Sequence, residues 1–387
     1  MAIPITYNVR NLRMRLGATV MTALGIALTV AIAIFIMALL AGLKQAFSST
    51  GDPLNVMALR KGSDTELTSV IDRPTLPVIK FLSGVAKDDS GQPLASGEMI
   101  VLIVLPRKDG TGEVNVTVRG MSPIGFKLRP DIALSEGRWF QPGQREVVVS
   151  RSVNQRFAHA KIGDKLHFGK GDWAVVGIFE SHGGSAHDSE IWGDVNLMAT
   201  DFDRPIYNSI LMRAVDSRAA DALVKRMSDD QRLKLDGLHE ADYYGKQTRS
   251  GAPIKFIGTL IAIIMAIGSC FAAMNTMYAS VAFRSREIAT LRILGFSRPS
   301  ILTCFMLESL LISLLGGCAA VLMMLPFNGL TTGTSNQATF AEVIFQMRIT
   351  PDVVISALIF AAVMGMIGGL APAWHASRQN ILSALRD

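Results

Sequence analysis

Four long stretches of this 387-residue chain carry almost no charge, and they limit what it can fold into more than any other feature. Leu16 to Leu43, Phe256 to Phe283 and Val353 to Trp374 contain no Asp, Glu, Lys or Arg, and Pro299 to Leu330 contains only Glu308. Each exceeds the roughly 20 apolar residues that a helix needs to cross a hydrocarbon core of about 30 Å. Hiding helices apolar on every side inside a soluble protein would require an unusually thick core. The expected fold is an α-helical membrane protein with four transmembrane helices, and with a large α/β extracytoplasmic domain of two lobes between helices 1 and 2.

The formal net charge of +6 invites a nucleic-acid partner, but its distribution argues against one. Between Lys44 and Ser250 acidic and basic residues nearly cancel, so the excess belongs to the membrane part. Arg10, Arg13 and Arg15 precede the first apolar run, Arg284, Arg286, Arg292 and Arg298 lie between the second and third, and Arg378 and Arg386 follow the fourth. By the positive-inside rule both termini and the Arg284 segment face the cytoplasm, and the large domain lies outside. Cys270, Cys304 and Cys318 all fall within apolar runs, which leaves the outer domain to an ordinary hydrophobic core without disulfides. The first run is too long for a signal-peptide core and is expected to stay as an anchor.

These patterns divide the chain. Residues 1–15, with Ile3, Ile5, Tyr7 and Leu12 among arginines, read as a cytoplasmic interfacial helix. Spans follow at 16–43, 255–283, 299–326 and 353–374, with the outer domain at 44–252 and a β-rich lobe near 117–203. A cytoplasmic helix occupies 284–298, a short outer loop 327–350, and a cytoplasmic tail 375–387. Within the outer domain, Met99 to Leu105, Glu113 to Val118, Glu146 to Val149, Lys165 to Phe168, Trp173 to Phe179 and Ser209 to Arg213 read as strands. Ser217 to Met227 reads as an amphipathic helix and Leu233 to Leu238 as a further strand, which together with Ser209 to Arg213 resemble half of a split β-α-β unit. The polar stretch Gly329 to Gln337 is ordinary for a connection outside the membrane.

The segment VAFRSREIATLRILGFSRPSI, Val281 to Ile301, is short, basic and helix-like. Ile288, Leu291 and Leu294 recur at three-residue steps, Arg284, Arg286, Glu287 and Arg292 surround them, and Gly295 stops the helix. Two readings stay open on physics alone: a helix that fills a groove on a cytosolic partner, or a solvated loop that only fixes orientation. No G-x-x-x-x-G-K-[ST] phosphate loop occurs, so nucleotide-driven work is expected from another subunit. His182, His187, Asp188 and Glu190 lie close in sequence, but they match no metal-ligand spacing and a polar loop explains them equally. Glu308, the one acid inside an apolar run, is expected to pair with an arginine of the 284–298 segment in preference to relaying protons. Asn275 is one of few polar residues inside a span. Gly365 and Gly369 form one small-residue face, and Gly258, Gly268 and Ala272 another, each suited to close helix approach.

The run Phe271, Met274, Asn275, Thr276, Met277, Arg284, Arg286, Glu287, Ile288, Leu291, Arg292, Leu294 and Gly295, with Glu308 and Gly316-Gly317, resembles the C-terminal half of MacB/FtsX-like ABC transporter permeases. The ending Pro372, Ala376 and Leu385-Arg386 is similar to it as well. Arg10 to Gly42 looks like the family's first span, and EGRWFQPGQREVVVSRSVNQRF with GDKLHFGKGDWAVVGIF is similar to its periplasmic core domain. The resemblance implies a homodimeric or pseudo-dimeric permease of the bacterial inner membrane, served by separate ABC ATPase subunits that bind ATP and Mg. Arg284, Arg286, Glu287, Ile288, Leu291, Arg292, Leu294 and Gly295 then form the coupling helix seated on the ATPase. It also implies mechanotransmission, in which ATPase motion is passed through the spans to the outer domain for export of a small molecule, peptide or lipid-linked substrate. A periplasmic adaptor and an outer-membrane duct serve some members. The alternatives are an FtsX-like signal transmitter that regulates cell-wall hydrolases, and a lipoprotein-release permease. Unlike MacB, the chain is expected to carry no fused N-terminal ATPase.

Overall fold

The computed structural model describes residues 10, 14, 16–181, 184–336 and 339–379. Ile3, Ile5, Tyr7 and Leu12 of the expected interfacial helix, His182, and the tail from residue 380 lie outside the described residues. Helix α1 (Leu16–Ser48) is followed by strands β1 (Asn55–Arg60), β2 (Ala95–Pro106), β3 (Glu113–Met121), β4 (Ile132–Gly137), β5 (Glu146–Ser150), β6 (Lys165–Phe168), β7 (Gly171–Ser181), β8 (Glu190–Asp194) and β9 (Ser209–Arg213). Then come helix α2 (Ser217–Asp229), strand β10 (Leu235–His239) and helix α3 (Glu240–Gln247). The remainder is helix α4 (Ala252–Phe283), the short helix α5 (Ser285–Ile293), helix α6 (Arg298–Met324), strands β11 (Thr331–Ser335) and β12 (Glu342–Gln346), and helix α7 (Pro351–Ser377). Contacts separate a helical unit, made of residues up to 41, 252–330 and 347 onward, from a head made of 42–251 and 331–346.

In the helical unit α1, α4, α6 and α7 are each long and apolar enough to cross a bilayer. Two of them start on a capped turn: Ser297 accepts a hydrogen bond from the Ser300 N–H before α6, Thr350 does the same for Val353 before α7, and a proline follows each cap. Small residues set the closest approach. A Cβ on Gly365 would lie 2.1 Å from Ser313 Oγ, and one on Gly369 would lie 2.5 Å from Ser309 Cβ, so α7 touches α6 along that face. Ser309 Oγ donates to Gly365 O at 2.6 Å across the same contact. The second small-residue face divides: Gly258 meets Ile36 of α1, whereas Gly268 faces open space.

In the head, among the described residues, ten strands form one sheet in the order β10-β1-β9-β2-β3-β8-β5-β7-β4, with β6 paired to β7. Strand β2 joins the two lobes as halves of this sheet: Ala95–Glu98 pairs with β9, and Met99–Pro106 pairs with β3. At one end β9, α2 and β10 form a split β-α-β unit with β1 inserted between the two strands. A single apolar core that includes Val56, Met99, Val118, Val149, Trp173, Ile191, Ile210 and Leu223 runs beneath both halves. Phe126, Trp139, Phe179 and Trp192 pack as a separate stacked cluster.

One expectation needs correction. The 327–350 connection is no ordinary polar loop, because β11 and β12 pair from Thr331↔Gln346 to Ser335↔Glu342 as a hairpin that belongs to the head. Two glycines permit its fit. A Cβ on Gly42 would lie 2.1 Å from Gln346 O, and one on Gly333 would lie 2.1 Å from Glu342 Oε1.

Candidate functional site

The expected coupling segment folds as α5, broken from α4 at Arg284 and stopped by Gly295, whose φ of +91° suits glycine. Its residues divide between two faces. Arg284 turns inward: Nη1 donates to Glu308 Oε2 at 2.7 Å, Nε donates to Glu287 at 3.2 Å, and the guanidinium sits 5.0 Å from the Phe305 ring centroid. Glu308 is 4% exposed and the Arg284–Glu308 pair bolts the start of α5 to α6 within the helical unit. Ile288 is buried as well, with Leu291 and Arg292 half-buried, and Arg292 donates to Phe296 O. Arg286, Glu287, Leu294 and Gly295 are exposed.

The stripe Ile288, Leu291, Leu294 is therefore not one face. Each three-residue step on an α-helix falls about 60° short of a full turn, so two steps carry Leu294 well away from Ile288. The exposed face instead combines Arg286, Thr290 and Ile293 at steps of four and three, with Glu287 and Leu294 beside them. Ile293, 61% exposed, was missed by the three-residue reading, although its four-and-three relation to Arg286 and Thr290 is visible in the sequence. Asn275 lies on an exposed side of α4. It is not a packing residue within this chain.

The head holds a charge core that the sequence reading largely missed. Arg119, 2% exposed, makes bidentate pairs with Glu66 (2.8 and 3.0 Å) and Glu190 (2.9 and 2.7 Å), and also reaches Glu98 at 2.8 Å. Arg129 pairs twice with Glu98, both at 2.7 Å, and its Nε donates to His187 Nε2 at 3.2 Å. His187 Nδ1 and Glu190 are 3.0 Å apart. Burial would raise the Glu98 carboxyl, but Arg129 and Arg119 outweigh it and hold it below the ordinary range. Against the same burial, Arg119 and His187 hold Glu190 well below that range. Asp188 caps the turn 186–189 and is pushed up by burial. His187, Asp188 and Glu190 of the loose ligand set are thus hydrogen-bonded framework, and among the described residues no group of three His, Cys, Asp or Glu is placed to hold a metal.

The hairpin is tied to this core from the other side. Glu342 Oε1 accepts from Arg107 Nη2 at 2.8 Å and from Arg156 Nη2 at 2.9 Å, and its side chain is 2% exposed. Ser189 Oγ accepts the Ile344 N–H at 2.7 Å, and Asn336 Nδ2 donates to Gln247 at 2.8 Å. A cavity of about 50 Å³ between the hairpin and Arg119, Tyr243 and Tyr244 has room for water and little else. Glu342→Ala is expected to leave both guanidiniums without their shared carboxylate and to speed amide hydrogen exchange across 331–346 by about tenfold or more, the scale of a buried charged hydrogen bond. Exchange unchanged from wild type would show that these pairs do not hold the hairpin.

The chain matches the family described as MacB-like periplasmic core domain over residues 19–230, and the family described as FtsX-like permease C-terminal over 259–381. It is 25% identical to the macrolide export ATP-binding/permease protein MacB of Pasteurella multocida, over 95% of this chain and 57% of that protein. It is 24% identical to the uncharacterized ABC transporter permease YknZ of Bacillus subtilis, over 97% of this chain and 98% of that protein. The chain thus spans little more than half the length of the MacB relatives it matches and nearly the whole of YknZ. Solved structures it resembles are the periplasmic region of MacB from Actinobacillus actinomycetemcomitans, at TM-score 0.37 and 14% identity over 50% of this chain and 92% of that one, and the extracellular domain of YknZ from Gram-positive bacteria, at TM-score 0.36 and 14% identity over 48% and 100%. With both family matches in chain order and four bilayer-length helices in the chain, it belongs to the MacB/FtsX-like family of ABC transporter permeases.

Proposed function

We propose that this chain is the permease subunit of an exporter that works by mechanotransmission in the bacterial inner membrane, with both termini and α5 in the cytoplasm. A separate cytosolic ATPase binds ATP and Mg and seats the exposed face of α5. The head outside the membrane moves a small molecule, peptide or lipid-linked substrate, with a periplasmic adaptor and outer-membrane duct as further partners. The observation that carries this reading is the Arg284–Glu308 pair: it makes α5 rigid with α6 while leaving Arg286, Thr290, Ile293 and Leu294 outward. A push on α5 then acts on α6, and the chain continues from α6 directly into the hairpin that Glu342 anchors in the head.

A second copy of the chain completes the permease in this reading. Leu260, Ile264, Ile267, Phe271, Asn275 and Tyr278 recur on α4 at three- and four-residue steps and are all exposed. An amide facing hydrocarbon is costly, and a partner helix relieves that cost by hydrogen-bonding it.

The test is coupled ATP hydrolysis in vesicles that hold the permease and its ATPase. Ile293→Asp and Leu294→Asp are expected to leave insertion and the head's thermal unfolding unchanged while cutting permease-stimulated hydrolysis at least about tenfold, as the loss of buried apolar anchors at an interface would. Normal stimulation in both variants would remove α5 as the seat. Native mass measurement of the same complex is expected to show two permease copies, and a stable complex with one would remove the second copy.

A further inference from the structure

Four glutamates gather about Arg119 and Arg129 in the head, and three of them are ion-paired: Glu66, Glu98 and Glu190. The fourth, Glu240, is 1% exposed and takes hydrogen bonds only through Oε2, from Asn55 Nδ2 at 2.8 Å and from the Asp52 N–H at 3.2 Å. Its Oε1 is buried without a hydrogen-bond partner among the described residues. Asn55 Oδ1, on the other side of the same pair, is also buried without one among the described residues, while Asn55 Nδ2 donates to Glu240 and to Leu128 O.

The two residues of this amide–carboxyl pair thus each keep a buried acceptor that lacks a donor. A proton on Glu240 Oε1 supplies it, since the acid O–H can donate to Asn55 Oδ1 while Asn55 Nδ2 donates back to Oε2. We propose that Glu240 is a protonated carboxylic acid at neutral pH, and that its proton closes a clasp between the chain entering the head from α1 and the chain leaving it through α3.

Charge balance points the same way. Two guanidiniums already pair with three carboxyl groups, and a charge on a fourth would be buried without a cation of its own. The groups facing Glu240 from its neighbours are Asp52 before β1, Arg129 after the turn 124–127, His187 in the turn 186–189, and Tyr244 on α3 itself. Asp52 is committed to Arg213 at 2.8 Å. Burial raises the Glu240 carboxyl above its ordinary range by more than Arg129 and His187 lower it.

The sign follows. A carboxyl whose folded value is raised keeps its proton in the folded chain after the unfolded chain has lost it, so stability falls as pH rises through that window. The folding constant of the wild-type chain is expected to drop by as much as about tenfold per pH unit between the unfolded and the folded value, and to level off above the folded one. Glu240→Gln preserves both hydrogen bonds with a neutral amide and is expected to fold and to lack this component of the pH dependence.

Thermal unfolding of the full-length chain in nanodiscs, wild type against Glu240→Gln, measures this from mildly acidic to alkaline pH. Infrared spectra of the wild type are expected to show the carbonyl stretch of a protonated carboxylic acid that shifts on ¹³C-glutamate labelling, which separates it from Asp188, and that fades as pH rises. Absence of a label-sensitive acid band at neutral pH overturns the proposal. So does a Glu240→Gln chain that fails to fold, because that would show the ionised carboxylate to be required.

Discussion

Arg119→Met is expected to cost the head about 3–5 kcal/mol, because it leaves Glu66 and Glu190 buried without the guanidinium that both share. That is a large part of the roughly 5–15 kcal/mol by which a domain is ordinarily stable. The cost comes from the orphaned charges. Methionine fills much of the same space, and an apolar replacement of the whole cluster would be far milder. The pH dependence identifies the cause. In the wild type, Glu98 and Glu190 have depressed folded values, so the stability they add is present above their unfolded values and is lost as pH falls through the folded ones. In Arg119→Met that contribution from Glu190 is largely gone, so the gap between variant and wild type should narrow on acidification. Thermal unfolding of the full chain at two pH values checks it, and a gap that stays constant would assign the loss to packing.

Glu308→Ala is the second large effect. It removes from the Arg284 guanidinium, 6% exposed among α4, α5 and α6, its buried carboxylate partner, while the exposed Glu287 stays within 3.2 Å. Removing one partner of a buried ion pair costs about 3–5 kcal/mol, enough to drive Arg284 out toward water and release α5 from α6. Permease-stimulated ATP hydrolysis is expected to fall by more than about tenfold while the head keeps its unfolding temperature, since the lesion lies in the helical unit. Adding Arg284→Met should restore part of the coupling, because the double variant buries no orphan charge. If Glu308→Ala couples normally, the ion pair does not carry the motion; if the double variant is as poor as the single, the pair itself, and not the orphaned charge, is what coupling needs.

The two sites differ in how far they could be read in advance. Glu308 was legible because an acid inside an apolar run must find a partner, and the arginines nearest in the chain lie across one short turn. What periodicity could not decide was which arginine, or that pairing would take Arg284 and Ile288 out of the exposed face. The charge core was almost illegible. Glu66 and Arg119 are 53 positions apart and Arg119 and Glu190 are 71 apart, and each residue alone reads as an ordinary surface charge. Glu342 meets Arg107 across 235 positions, which is why its hairpin passed for a polar loop.

By itself the sequence determined the spans, the positions of most strands, and the glycine stop at residue 295, because these follow from hydropathy, two-residue alternation and local backbone preference. Only the tertiary structure decided which charges are buried together, that the loop between the last two spans is a hairpin of the head, and which side of α5 faces outward. Those outcomes depend on contacts between distant segments, and the energy of a buried charge is set by neighbours that no local pattern names.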